Sequence, residues 1–229
     1  MSVFDILDKR QHVQEFDLQN IPKKSLIEEC LRKAWKVTPS KQNFMPYTIN
    51  VFGPDNEEDK LKIWSLAKFN QKDINENNTK EHKEDGDNPN FLYLKTAPYI
   101  LVINQRVCKP NPFVQTLVDI NKCHFEQMHS DQKNLRNVMK TTAFEVGLFI
   151  SNLWSFALEY NIDLNCNACF PTNKNAWQEF PNVEHDVIMI CALGYCKIPR
   201  RNKHTQERFQ QDLKPAPQEI IKWINKKGV

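Results

Sequence analysis

Glycine is scarce in this chain of 229 residues. There are five, Gly53, Gly86, Gly147, Gly194 and Gly228, and none sit in a cluster. This excludes the G-x-G-x-x-G dinucleotide fingerprint and the Walker phosphate loop, which use glycines to bring backbone close to phosphate. A nucleotide-like cofactor must then be held another way. Charge of one sign is also lacking. The 31 Lys+Arg against 28 Asp+Glu leave a formal net charge of +3, which does not make the concentrated basic face that nucleic acid usually needs. No apolar run approaches the roughly 20 residues of a membrane span. The N-terminus, Met1-Ser2-Val3-Phe4-Asp5, has neither the basic nor the long apolar region of a signal peptide. The expectation is a cytoplasmic protein with no membrane and no nucleic-acid partner. Hydrophobic residues at 40% and charged residues at 26% are ordinary for a globular chain, and the length is ample for a sizeable core.

Cysteine, by contrast, is well represented. Seven is an odd number, and with no secretion signal it points to free thiols in a reducing compartment. Cys166 and Cys169 form a C-x-x-C, with Cys191 and Cys196 downstream. As ligands the four could hold a structural zinc. The second spacing is loose, however, and Cys191 falls in the apolar run Val187 to Leu193, where a small buried thiol is the plainer reading. A thioredoxin-type pair is disfavoured, because no βαβ start precedes it and no helix clearly follows. No metal is expected.

The periodicity predicts a short helix over 2–9. An amphipathic helix follows over about 22–36, with Leu26, Ile27, Cys30, Leu31, Ala34 and Trp35 on its apolar face. Val37 to Pro46 reads as a loop, Tyr47 to Phe52 as a strand and 57–70 as a helix. Between Asn70 and Asn90 large apolar residues nearly vanish, which fits a surface loop, a lid or a polar helix extension. Pro98 to Asn104 and Asp186 to Gly194 read as buried strands. A helix is expected over 111–129, with Phe113, Leu117, Ile120 and Phe125 inward. A long one is expected over about 132–160, apolar almost all round in its second half. Ile220 to Ile224 marks a short C-terminal helix. No internal repeat or linker separates two domains, so the fold class is α+β, one domain over 1–229 with a C-terminal extension from about 205.

Three strings stand out: Lys9-Arg10-Gln11-His12-Val13-Gln14-Glu15-Phe16; Thr38-Pro39-Ser40-Lys41-Gln42-Asn43-Phe44-Met45-Pro46-Tyr47; and Ala97-Pro98 before one buried strand, with Leu193-Gly194-Tyr195 ending another. Their order and spacing resemble the flavin-dependent nitroreductase family over roughly residues 5–205. The resemblance implies a small, mostly antiparallel sheet wrapped by helices in an intertwined homodimer. It also implies flavin mononucleotide (FMN) at the subunit interface, with its phosphate held by side chains. Arg10 matches the family's first phosphate-binding arginine, and a guanidinium suits bidentate phosphate contact. His12 stands where the family has Ser. Gln14 stands where it has Arg or Lys, which removes one positive charge. Arg200 and Arg201 fall where further phosphate-binding basic residues enter.

Pro39, Ser40, Lys41 and Asn43 match the loop that the family lays along the flavin from the partner subunit, and Lys41 is the candidate for positive charge near flavin N1/O2. Asn90 fits the family's amide at the pyrimidine edge. Cys166, Asn167, Ala168 and Cys169 fall where the family turns a loop toward flavin N5, so that the Ala168 or Cys169 N–H is a candidate donor. The activity implied is an FMN-dependent oxidoreductase that takes hydride from NAD(P)H and passes it to a nitro, quinone or related electron-poor small molecule by a ping-pong mechanism, with no catalytic side chain beyond the cofactor. Two alternatives stand beside it. One is an FMN-binding relative without that turnover, and the other is a zinc-stabilised interaction protein.

Overall fold

A computed structural model describes residues 3–7, 9–40, 43–76, 91–120, 122, 132–198 and 217–220. The chain divides into two units, Met1–Lys197 and Ile198–Val229. In the second, the described secondary structure is one short helix, Pro217–Ile220.

The first unit is built on a four-stranded antiparallel sheet. Its strands are β1 (Tyr47–Phe52), β2 (Tyr99–Gln105), β3 (Asp163–Asn167) and β4 (Val187–Gly194), in the order β1-β2-β4-β3. Every residue of β2 is buried, as a strand covered on both faces must be. Alternation sorts the strand side chains. Ile100, Val102, Ile190 and Ala192 join one core; Tyr99, Leu101, Ile103, Cys191 and Leu193 join the other. The first core is covered by α3 (Glu57–Glu76) through Ile63 and Ala67, by α4 (Leu92–Lys95) through Tyr93 and Leu94, and by a 3-10 turn, Lys174–Trp177, whose indole is fully buried. The second is covered by α2 (Lys24–Val37) through Ile27, Cys30 and Ala34. The long helix Gln132–Glu159 covers it too, through Val146, Phe149, Ile150, Leu153 and Ala157. With α1 (Val3–Leu7) and α5 (Pro112–Asp119), that long helix is α6 in chain order. The α+β class and the sheet wrapped by helices are as the sequence predicts.

The differences are instructive. The helix expected over 111–129 ends at Asp119, so the face built from its full length does not form. Phe113 and Ile120 are exposed, and Val114 is the buried residue, packed with Phe44 and Cys108; Phe125 lies outside the described residues. Trp35 points outward from α2 at 60% exposure. Within the single chain, Thr141, Phe144, Gly147 and Ser151 of α6 form an exposed stripe.

Strand β3, Asp-Leu-Asn-Cys-Asn, was not anticipated. Its polar composition reads as turn and loop, yet Asp163, Asn165 and Asn167 are all buried. A turn at the end of α6 feeds it. Asn161 sits in the left-handed region at φ 55° and closes α6. The Ile162 N–H donates to Ala157 O at 2.9 Å and the Asn161 N–H to Leu158 O at 3.1 Å, the pairing of a Schellman cap.

Candidate cofactor site

The first string is fixed by its own backbone. Asn165 Nδ2 donates to Val13 O at 2.9 Å, the Phe16 N–H to Thr96 Oγ1 at 3.0 Å and the Asp17 N–H to Tyr195 O at 2.8 Å. Gln11 Nε2 donates to Asp163 Oδ2 at 2.8 Å. Phe16 forms a bridge with Cys196, just past β4. Gly194 makes this fit possible. A Cβ there would lie 2.6 and 2.7 Å from Pro98 ring atoms and 2.8 Å from the Phe16 ring, closer than carbon atoms pack.

With the backbone tied down and Val13 and Phe16 buried, Arg10, His12 and Gln14 face outward. The Arg10 guanidinium stacks on the Trp154 ring of α6, 5.0 Å from its centroid. A guanidinium held over a ring can still direct N–H donors to an oxyanion. Trp154 Nε1 is buried and makes no hydrogen bond, a donor without an acceptor beside the stacked cation. His12 sits edge-on to Tyr93 at 6.3 Å, and partial burial lowers its pKa below the ordinary histidine value. At neutral pH it is a neutral imidazole, with one ring nitrogen carrying a proton. Gln14 is exposed.

The 166–169 segment starts on β3 and leaves it in a tight turn. Asn167 shapes that turn. Its Nδ2 donates to Tyr93 Oη at 2.9 Å and its Oδ1 accepts the Cys169 N–H at 2.6 Å. The Cys169 N–H is therefore engaged by the turn itself, while Ala168 is exposed at its tip. Burial pushes the Tyr93 hydroxyl pKa up, so it remains a phenol.

The second string forms a loop at the mouth of the other core. Pro39 and Asn43 are exposed. The Met45 N–H donates to Ser40 Oγ at 2.8 Å and the Asn43 N–H to Ser40 O at 3.0 Å. Asn43 and Met45 both stand in the left-handed region, at φ 57° and 48°. Arg106, one residue past β2, holds the far side: Nη2 donates to Phe44 O at 2.7 Å and Nε to Met45 O at 2.9 Å. Asn152 of α6 ties the near side by donating to Thr38 Oγ1 at 3.0 Å. Nothing in the sequence marked Arg106 or Asn152 for this role, since the spacing of both from the loop is purely tertiary.

A model of the nitroreductase family matches residues 7–195. The chain belongs to the nitroreductase family. That membership makes it an oxidoreductase. Solved structures agree on the fold. A nitroreductase-like protein of Streptococcus mutans aligns over 97% of this chain and 98% of its own, at 16% identity and a TM-score of 0.62. A Staphylococcus epidermidis protein assigned as an NAD(P)H:FMN oxidoreductase aligns over 97% and 96%, at 14% identity and a TM-score of 0.64. An Exiguobacterium sibiricum protein assigned as a nitroreductase and solved in complex with FMN aligns over 98% of both chains, at 15% identity and a TM-score of 0.62. No curated protein matches the chain in sequence.

In this nitroreductase-family chain, Arg10, His12 and the 166–169 turn gather around β3. Pro39, Ser40 and Asn43 stand on a separate loop whose Phe44 packs with Cys108 and Val114. Lys41, Asn90, Arg200 and Arg201 lie outside the described residues. The zinc alternative loses its geometry. Cys166 packs with the α2/α6 core, whereas Cys169 and Cys196 pack with the opposite one, so the sheet stands between them. Among the described residues no group of three or more His, Cys, Asp or Glu is placed to hold a metal, and no helix is long and apolar enough to cross a membrane.

Proposed function

We propose that the protein is an FMN-dependent oxidoreductase that takes hydride from NAD(P)H and reduces a nitro, quinone or related electron-poor small molecule. The observation that carries this reading is the Arg10–Trp154 stack, beside the β3 turn, within a chain of this family. The donor set fits an anionic, oxygen-rich cofactor: the Arg10 guanidinium over Trp154, a neutral imidazole at His12, a buried indole N–H with no acceptor, and Ala168 exposed at the tip of the turn. When bound, FMN would supply the hydride chemistry. Arg10 and His12 would hold its phosphate, with Arg200 and Arg201 adding charge. Ala168 would offer its N–H toward N5, because the Cys169 N–H is already taken, and Asn167 would keep the turn in shape. Asn90 would serve the pyrimidine edge.

Pro39, Ser40, Lys41 and Asn43 would come from the other subunit of a homodimer. The exposed stripe Thr141, Phe144, Gly147 and Ser151 on α6 supports that pairing, since Phe144 is 67% exposed in the middle of a 28-residue helix. We place the protein in the cytoplasm.

Titration of the purified protein with FMN, followed by anaerobic NAD(P)H, tests the reading. We expect binding with quenched flavin fluorescence and then bleaching. Arg10→Ala should weaken FMN by at least about tenfold, the loss of one charge-assisted contact. Unchanged affinity removes Arg10 from the phosphate site. Binding without bleaching favours the passive FMN-binding alternative.

A further inference from the structure

The C-x-x-C spacing draws attention to Cys166 with Cys169, but the fold gives Cys166 a different neighbour. Cys166 of β3 and Cys191 of β4 are direct register partners, and their Sγ atoms are 3.8 Å apart. Directly opposed residues in an antiparallel pair have Cα atoms roughly 4.5–5.5 Å apart. That lies inside the roughly 4.4–6.8 Å window a disulfide needs. Small side-chain rotations therefore suffice to join them. Cys169 lies past the end of the strand, on the other side of the sheet, with its backbone held by Asn167.

The two thiols are chemically unequal. Cys191 is fully buried in the central strand β4. Cys166 is only part-buried, on the edge strand, and looks toward the Arg10 guanidinium. The thiol–thiol contact, helped by the Arg10 charge, pulls the Cys166 pKa down against the opposing effect of burial, while the same contact and full burial push that of Cys191 up. A part-buried thiol near a cation, with a fully buried thiol behind it, is the arrangement of an attacking and a resolving cysteine.

We propose that Cys166 and Cys191 form a redox-active dithiol that reduces one hydroperoxide and closes into a disulfide between β3 and β4. The Cys166 thiolate attacks the terminal peroxide oxygen. The O–O bond breaks, and the leaving alkoxide or hydroxide takes up a proton to depart as alcohol or water. The sulfenic acid left on Cys166 is then attacked by Cys191 sulfur. The S–O bond breaks, the S–S bond forms, and the Cys191 proton leaves with the hydroxyl as water. Two electrons pass from the thiol pair to the peroxide. A small dithiol reverses the change by exchange. The proposal does not depend on bound flavin.

The experiment uses the full chain, reduced and then treated with a stoichiometric amount of hydrogen peroxide. Remaining thiols are blocked with N-ethylmaleimide after denaturation, and the peptides are mapped by mass spectrometry. The expected result is a linked Cys166–Cys191 peptide, lost on treatment with dithiothreitol and formed equally in Cys169→Ser. In Cys191→Ala, Cys166 should stop at the sulfenic acid and be labelled by dimedone. If that variant does not fold, Cys166→Ser decides the point, because Cys191 should then remain a free thiol. A Cys166–Cys169 link, a Cys191 still alkylated in the oxidised wild-type chain, or a folded Cys191→Ala whose Cys166 escapes dimedone overturns the proposal.

Discussion

The segment Arg10–Phe16 and the loop Thr38–Pro46 both offer polar side chains to solvent, but they are held in different ways. The first is stitched into the core. Val13 and Phe16 are buried to within 1%, and buried polar side chains of Asn165 and Thr96 meet its backbone. The second buries the Phe44 side chain and rests on hydrogen bonds at its rim, two of them from the guanidinium of Arg106, itself an exposed residue, and it places two non-glycine residues in the left-handed region. A chain poor in glycine can thus position a ligand-facing segment in two ways. It can lock an extended backbone to a sheet edge, or it can bend a loop with Asn and Met and brace the carbonyls from outside. The first way is robust to solvent, while the second concentrates its dependence on a single guanidinium.

That contrast can be broken at graded cost. The largest effect is expected from Gly194→Ala. The added methyl meets Pro98 and Phe16 below 3 Å, and overpacking of this kind costs about 1–3 kcal/mol; a urea midpoint unchanged from wild type would show that the Phe16 ring moves aside freely. Asn165→Ala comes next. It leaves the Val13 carbonyl without its donor in a buried setting, at about 1–3 kcal/mol. Hydrogen exchange should speed up around residues 11–17 and leave the 38–46 loop untouched. Arg106→Ala should do the reverse at about 1 kcal/mol or less in global stability, because the lost bonds are partly solvated. Exchange protection should fall at residues 43–46 and stay level at 11–17. Loss of protection in both regions would mean that they are coupled, and the comparison would fail. Asn43→Gly should be smallest and opposite in sign. Relief of a left-handed backbone at φ 57°, offset by glycine's greater freedom in the unfolded chain, should stabilise by roughly 0.5 kcal/mol, read as a small rise in thermal midpoint.

What was legible in the sequence follows a pattern. Strands β1, β2 and β4 and helices α2 and α6 stand out because burial on a regular element imposes an apolar period. Strand β3 did not, because its Asn165 and Asn167 are buried against hydrogen-bond partners on distant segments, Val13 and Tyr93, and no local pattern announces such partners. The same limit hid Arg106 and Asn152, whose bonds to the loop span 61, 62 and 114 residues. It also misdirected attention to the C-x-x-C. Spacing in sequence paired Cys166 with Cys169, while spacing across the sheet pairs it with Cys191.

Fold class, family and the need for side chains to do what a glycine-rich loop cannot can all be read along the chain. Periodicity and ordered strings are local properties, and they survive in one dimension. Which side chains are placed to act depends on contacts between distant segments. Arg10 is set over Trp154. The Cys169 N–H is withdrawn because Asn167 takes it. Strand register then chose the neighbour of Cys166. Each of these is a matter of partners brought together over long stretches of chain, where the free energy of burial, and not the order of residues, sets who meets whom.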